Sequence, residues 1–89
     1  MEIHSEEEVF ETYASRLYRN GVVMLLSGPL TEVGKKVWLE FQYDPAEKAV
    51  RVLAEIRVIH GNQVKAHFRH MWPQDEQRYF RYLARASAA

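Results

Sequence analysis

Apolar and polar residues alternate in three stretches of the chain, and this pattern predicts the core of the fold. Residues 36–43, 50–58 and 64–68 each carry apolar side chains at every second position, which is typical of half-buried strands. A continuous apolar run at 22–27 precedes them and predicts a fourth, buried strand. Turn residues separate the segments. The sequence therefore predicts four antiparallel strands in a curved or barrel-like sheet.

A helix is predicted at each end of this sheet. Ser5 and Glu8 have the spacing of a capping box, and apolar residues recur at helical spacing up to Asn20, which predicts a helix from about 5 to 19. Pro73 suits the first turn of a second helix that continues to about Ala86. The packing stripe of that helix is predicted to be Tyr79, Phe80 and Leu83. The fold class is a single α+β domain over residues 1–89.

Loop lengths predict the register of the strands. A four-residue loop at 44–47 gives the apolar pairs Phe41–Val50, Leu39–Val52 and Val37–Ala54, and the charged pairs Glu40–Arg51 and Lys36–Glu55. A three-residue loop at 61–63 gives the pairs Val58–Ala66 and Ile56–Phe68, with Glu55 meeting Arg69. Complementary charges on one face support the apolar register of the other face.

This register places three apolar side chains in a row on the outer face of the sheet. Trp38, Leu53 and Met71 are predicted to lie side by side across three strands. An exposed apolar row marks an interaction surface unless another element covers it. We expect either the N-terminal helix or a second subunit to cover this row, which makes it the candidate partner interface.

The composition of the chain excludes several kinds of site and indicates a location. The chain has no cysteine, which excludes disulfides, thiolate metal sites and cysteine nucleophiles. It has no apolar run long enough to span a bilayer and no segment typical of a signal peptide, so we expect a cytoplasmic protein.

The formal net charge is zero, but the charge is unevenly distributed. Residues 1–15 contain five Glu and no Lys or Arg, whereas eight basic and three acidic residues occur from Lys48 onward. This asymmetry indicates either self-association or an anionic partner for the second half; the alternative is two solvated helix faces.

The order of features from Gly21 to Leu83 resembles a PilZ domain, a bacterial module that commonly senses cyclic di-GMP. The resemblance rests on a Gly-led apolar strand at 21–25, a Leu-x-x-x-Gly element at 30–34, the alternating strand at 36–41, a long hairpin ending at Phe68, and Tyr82-Leu83 in the closing helix. It covers about two-thirds of the chain. The resemblance implies a small β-barrel and a role in cyclic di-GMP signalling.

The ligand motifs of that family are altered in this chain. The family's Arg-x-x-x-Arg segment would precede the first strand, where this chain offers only Arg16 and Arg19, spaced by three. In the family's Asp/Asn-x-Ser-x-x-Gly element, counted back from Gly21, the acidic position is Arg16 and the serine position is Tyr18. Arg81 and Arg85 have the family's arginine spacing, but they lie on the predicted final helix. We therefore expect Arg16 and Arg19 to bind a cyclic dinucleotide weakly at most.

The sequence before Gly21 is also shorter than the family's usual leading strand requires, so the barrel is expected to be open on one side. An open edge needs cover, which dimerisation or a docked partner supplies. The resulting expectation is a non-enzymatic PilZ-like interaction or signalling module, acting through a protein partner or as a homo-oligomer, without a cofactor.

The histidines and the outer-face cations raise two other kinds of site, one for a metal ion and one for nucleic acid. His60, His67 and His70 suggest a metal site, but His67 and His70 are three apart on a strand, where they should face opposite sides and not share an ion. Single-stranded nucleic acid is the alternative ligand, because several basic residues share the outer face with Trp38. These are Arg51, Arg57, Lys65, His67 and Arg69. The neutral net charge and the carboxylates on the same face argue against that ligand. No combination of residues in the sequence indicates catalysis.

Overall fold

In the part of the chain that the structure describes, seven antiparallel strands form one curled sheet, and one helix packs against its inner face. The computed structural model describes residues 2–5, 8–11, 14–25, 32–42, 46 and 48–88. The elements in this part of the chain are β1 (Glu2–Ser5), β2 (Glu8–Glu11), β3 (Ala14–Tyr18), β4 (Gly21–Leu25), β5 (Lys36–Phe41), β6 (Val50–His60), β7 (Gln63–Met71) and α1 (Pro73–Ala88). The strand order is β2-β1-β5-β6-β7-β4-β3. The α+β class and the barrel-like sheet are thereby confirmed.

The predicted register between β5 and β6 is confirmed throughout. Phe41 lies opposite Val50, Leu39 opposite Val52, and the charged pairs on the other face also match. The inward positions of both strands are almost completely buried. Strict alternation sufficed here because neither strand carries an irregularity where the two pair.

The predicted register between β6 and β7 is wrong. The hairpin loop has two residues, Gly61 and Asn62, so that His60 lies opposite Gln63. Gly61 adopts a φ of +59°, the left-handed conformation that two-residue hairpin loops require. This loop alone would place Ile56 opposite His67, and the irregularity between Ile56 and Val58 then places Ile56 opposite Ala66, where the sequence predicted Phe68.

Two bulges keep apolar residues on the inner face in spite of this shift. Arg57 is the extra residue on β6, and Arg69 is the extra residue on β7. The first bulge turns Ile59 toward the core and leaves Val58, which strict alternation would bury, 50% exposed. The adjacent apolar pair Val58-Ile59 was the sequence signal for this bulge.

The predicted N-terminal helix is wrong. Residues 5, 8–11 and 14–18 lie in strands, and residues 19–20 form the turn between β3 and β4. β1 pairs with β5 and β3 pairs with β4, so the N-terminal segments cover both sides of the predicted sheet. An isolated helix of this length is marginal in water, whereas strand pairing satisfies the free edges of β4 and β5. The sequence predicted that the chain before Gly21 is too short for a leading strand. This prediction is wrong, because β1, β2 and β3 all precede Gly21.

The helix α1 closes the inner face, and its predicted position is confirmed. Pro73 begins it, Asp75 and Glu76 lie in its first turn, and Arg85 in its last turn, as the helix dipole favours. Of the predicted stripe, Tyr79 is fully buried, while Phe80 and Leu83 are only half-buried. Tyr82, which the stripe omitted, is 4% exposed and belongs to the core.

Tyr79 connects the helix to β5, to β7 and to the residues that flank the β3–β4 turn. Its ring lies 5.1 Å from that of Phe68 and 5.9 Å from that of Phe41, between ring centroids. Its hydroxyl donates to the carbonyl oxygen of Tyr18, with the carbonyl of Gly21 at 3.4 Å. Burial raises the pKa of this hydroxyl well above its ordinary value.

Gly21 is required by close backbone packing. A Cβ atom at this position would lie 2.6 Å from the carbonyl oxygen of Ala66 on β7. The neighbouring turn is also tied to β7, because the Phe68 amide donates to the Asn20 carbonyl at 2.8 Å. β4 therefore approaches β7 closely enough that only glycine fits.

Several predictions fall on residues 12–13, 26–31, 43–45 and 47, which lie outside the described residues. They concern the end of the 22–27 strand, the Leu of the Leu-x-x-x-Gly element, and most of the 44–47 loop. In the described part of the chain, no helix is long and apolar enough to cross a membrane.

Candidate functional site

Four side-chain positions cross the outer face of the sheet in one row. His4 of β1 lies opposite Trp38 of β5, Trp38 opposite Leu53 of β6, and Leu53 opposite His70 of β7. We call these four residues the outer row. With strands about 4.8 Å apart, the row is roughly 14 Å long.

The row predicted from the sequence is confirmed at two positions and wrong at the third. Trp38 and Leu53 are neighbours, as expected. Met71 lies opposite Val52 and packs against the core, because the bulge at Arg69 turns it to the inner face. His70 takes its place in the outer row. The apolar residues Phe68 and Met71 are three positions apart, where strict alternation requires an even number, and this spacing was the available sequence signal for the bulge.

Trp38 and Leu53 are only half-buried, and the described elements leave the row uncovered. The helix packs on the inner face, and the N-terminal strands extend the sheet sideways. The intramolecular cover expected from an N-terminal helix is thus absent from the described part of the chain. The guanidinium carbon of Arg51 lies 5.6 Å from the centre of the Trp38 ring, a cation–π contact that shields one part of it.

Aromatic surface continues beyond the β7 end of the row. The ring of His70 meets that of Trp72 edge to face, with centroids 4.8 Å apart. Trp72 is 56% exposed, which is high for so large an apolar side chain. At the other end, His4 Nε2 lies 3.3 Å from Glu40 Oε2. The row is therefore an aromatic and apolar strip with a polar group at its β1 end.

A carboxylate beside the row forms ion pairs with two of the cations on this face. Glu55 Oε2 lies 3.0 Å from Arg57 Nη1, and Glu55 Oε1 lies 3.9 Å from Arg69 Nε. The predicted Glu55–Arg69 contact is therefore present, although the bulge places His67 directly opposite Glu55. Lys65 is also engaged, with its Nζ 5.9 Å from the centre of the Tyr18 ring.

The two arginines predicted as ligand residues make separate contacts. Arg16 lies on β3, where a side-chain hydrogen bond and electrostatic interaction with Tyr18 raise the pKa of its guanidinium above the ordinary value. Arg19 lies in the β3–β4 turn, and its guanidinium carbon is 5.2 Å from the centre of the Phe80 ring on the helix. The two side chains are thus engaged by different elements.

Arg19 lines a groove of about 550 Å³ between the β3–β4 turn, the end of β7 and the start of the helix. The groove mixes cations with apolar groups and one carboxylate. Its lining residues are Arg19, Asn20, Phe68, Arg69, His70, Met71, Glu76 and Phe80. A groove of this kind can hold a planar or anionic small molecule, with Arg19 and Arg69 in its lining.

The bulge also changes the arrangement of the histidines. His67 lies opposite Glu55 and His70 opposite Leu53, so both occupy the outer face. The prediction that they face opposite sides is wrong. The extra residue Arg69 shifts the alternation of β7 by one position, so that His70 lies on the same face as His67. Even so, the described residues contain no group of three or more His, Asp or Glu that could hold a metal ion.

Comparison of the chain with models of known protein families and with curated protein sequences gives no match. The fold and the surfaces above are therefore the basis of the functional argument.

Proposed function

We propose that this chain is a cytoplasmic, non-enzymatic interaction and signalling module of PilZ type that acts through protein contacts. The observation that carries the proposal is the outer row, in which Trp38 and Leu53 lie side by side, only half-buried, on the face of the sheet opposite the buried core. Aromatic side chains with neighbouring cations are enriched where proteins bind one another. The barrel-like sheet with a closing helix agrees with the architecture that the sequence resemblance implies.

We propose a second copy of the chain as the occupant of the outer row. The acidic residues 1–15 and the basic second half are complementary between copies. β2 and β3 form the two ends of the described strand order, and sheet edges readily pair with another chain. Self-association through one patch also needs no further component.

A weakly cyclic di-GMP-binding domain is the second candidate function. The groove supports it, because both Arg19 and Arg69 and several aromatic residues line it. Arg16 does not belong to that lining, and Arg19 already stacks on Phe80. A two-arginine clamp would require both contacts to break, which favours the proposal without tight nucleotide binding.

Single-stranded nucleic acid is a third candidate. Its cations would be Arg51, Arg57, Lys65 and Arg69, but Arg57 and Arg69 share the carboxylate of Glu55. Arg51 covers Trp38 and so occupies a ring that a base would need for stacking. These contacts argue against such a ligand.

Isothermal titration with cyclic di-GMP at physiological salt, with the mass of the particle recorded on the same sample, tests the proposal. We expect an oligomer that gives no binding heat. Binding at micromolar strength or tighter that disappears in Arg19→Ala would favour the second candidate. A folded monomer at high concentration would contradict self-association.

A further inference from the structure

A small cleft on the helix, away from the outer row, concentrates positive charge. It has a volume of about 150 Å³, and four of its five lining residues are cations. The lining residues, which we call the basic cleft, are Lys48, Arg78, Arg81, Tyr82 and Arg85. Lys48 comes from the segment before β6, whereas the other four belong to α1.

The stability of the helix does not explain this charge. Arg78, Arg81 and Arg85 follow one another at spacings of three and four, where like charges destabilise a helix. Arg78 Nη1 meets Asp75 Oδ1 at 3.2 Å. From Gln77 to Ala89 the sequence contains no Asp or Glu, so the helix offers no carboxylate three or four positions from Arg81. The helix dipole favours Arg85 in the last turn but not Arg81 in the middle.

Tyr82 holds the two sides of the basic cleft together. Its side chain belongs to the core, and its hydroxyl donates to the Lys48 carbonyl oxygen at 3.3 Å. The backbone of Lys48 is thereby fixed against the helix that carries the arginines. The backbone of Lys48 and the helix are therefore fixed relative to each other before any ligand arrives, which lowers the entropic cost of binding.

We propose that the basic cleft binds a phosphate or diphosphate group. Guanidinium groups match phosphate oxygens with paired hydrogen bonds, and a lysine adds a point charge. The small volume, bounded by the Tyr82 side chain, suits one or two phosphate groups. This site lies apart from the outer row, so it extends the proposed function and does not depend on it.

Titration of the ¹⁵N-labelled protein with inorganic phosphate and with pyrophosphate, followed by NMR amide shifts at constant ionic strength, tests this site. We expect saturable shifts centred on Tyr82 and Lys48, with pyrophosphate binding more tightly. Arg81→Gln should weaken pyrophosphate binding about tenfold, because a hydrogen bond to a charged group is lost. Arg57→Gln removes the same charge from the outer face, outside the outer row, and is the matched control, expected to change binding less than twofold.

Three results would overturn the assignment. The first is an absence of saturable shifts, and the second is equal weakening by Arg81→Gln and Arg57→Gln, which would indicate general attraction to positive charge. The third is pyrophosphate binding that appears only after Asp44→Asn and Glu47→Gln. These carboxylates precede Lys48 in the sequence, and such a result would mean that the chain's own acids satisfy the cleft. Arg81→Gln retains good helix propensity, and unchanged amide dispersion would verify its fold.

Discussion

The two faces of the same sheet differ in what they contact. The inner face packs Val37, Leu39, Val52 and Ile56 beneath the helix, and all four are at most 1% exposed. The outer face carries cations around Glu55 and the half-exposed outer row. Residues next to each other in the sequence, such as Val37 and Trp38, therefore serve different purposes.

We expect the inner face to determine the stability of the protein and the outer face to determine its interactions. Burial of apolar area on the inner face is the main stabilising contribution, whereas exposed ion pairs contribute little. We therefore expect substitutions on the inner face to unfold the protein and substitutions on the outer face to change its interactions. The following predictions are ordered from the largest expected effect to the smallest.

Tyr79→Ala should produce the largest loss of stability. It removes a fully buried ring that contacts Phe41 and Phe68, and comparable truncations cost about 3–5 kcal/mol. Tyr79→Phe keeps the ring and loses only the hydroxyl contacts with the β3–β4 turn, at a cost of about 1 kcal/mol. Urea denaturation followed by circular dichroism measures both. A loss below about 1 kcal/mol for Tyr79→Ala would contradict the inner-face core.

Gly21→Ala should destabilise the protein through a steric clash. Its Cβ would meet the Ala66 carbonyl oxygen, a backbone atom that cannot move without disturbing β7. Overpacking of this kind costs about 1–3 kcal/mol. The control is Gly61→Asn, at a left-handed position with open space, where Asn is tolerated and a smaller loss is expected. Equal losses in thermal denaturation would argue against close approach of β4 and β7.

The stability of the protein should fall at alkaline pH because of Tyr79. The folded state keeps this hydroxyl protonated above the ordinary pKa of about 10, while the unfolded state releases the proton. The unfolded state then binds fewer protons, so the free energy of unfolding falls as the pH rises above about 10, by at most about 1.4 kcal/mol per pH unit. Below that pH the contribution is fully present. Urea titrations at pH 8 to 11 should show a shallower decline for Tyr79→Phe, and parallel curves would refute this assignment.

Glu55→Gln should have the smallest effect on stability. It removes ion pairs to Arg57 and Arg69, both about half-exposed, and solvent screening limits the loss to about 0.5 kcal/mol. The difference from wild type should shrink further in high salt. Chemical denaturation at two salt concentrations measures it. A loss above about 2 kcal/mol would place Glu55 among the residues that hold the fold, contrary to the separation of the two faces.

The sequence predicts the inner face well where alternation is unbroken. β5 and the first half of β6 follow a strict two-residue period, so loop length alone determined their register. The bulges at Arg57 and Arg69 break that period, and strict alternation carried past an inserted residue assigns the residues beyond it to the wrong face. The interface prediction therefore found Trp38 and Leu53 but placed Met71 in the position of His70.

The N-terminal segment was mispredicted for a different reason. Its acidic residues and helical spacing are genuine local preferences, but β4 and β5 offer free strand edges that only tertiary structure reveals. The basic cleft was likewise only partly predictable from the sequence. Arg78, Arg81 and Arg85 stand out on a helix, whereas the approach of Lys48 depends on the hydrogen bond from Tyr82.

Sedimentation velocity over a wide concentration range, comparing wild type with Trp38→Ser, tests the division between the two faces most directly. The matched control is Val58→Ser, which changes an exposed apolar residue on the outer face of β6 but outside the outer row. We expect wild type and Val58→Ser to associate alike, and Trp38→Ser to be a folded monomer with little change in thermal stability. Equal association of all three proteins would contradict the outer row as the interface.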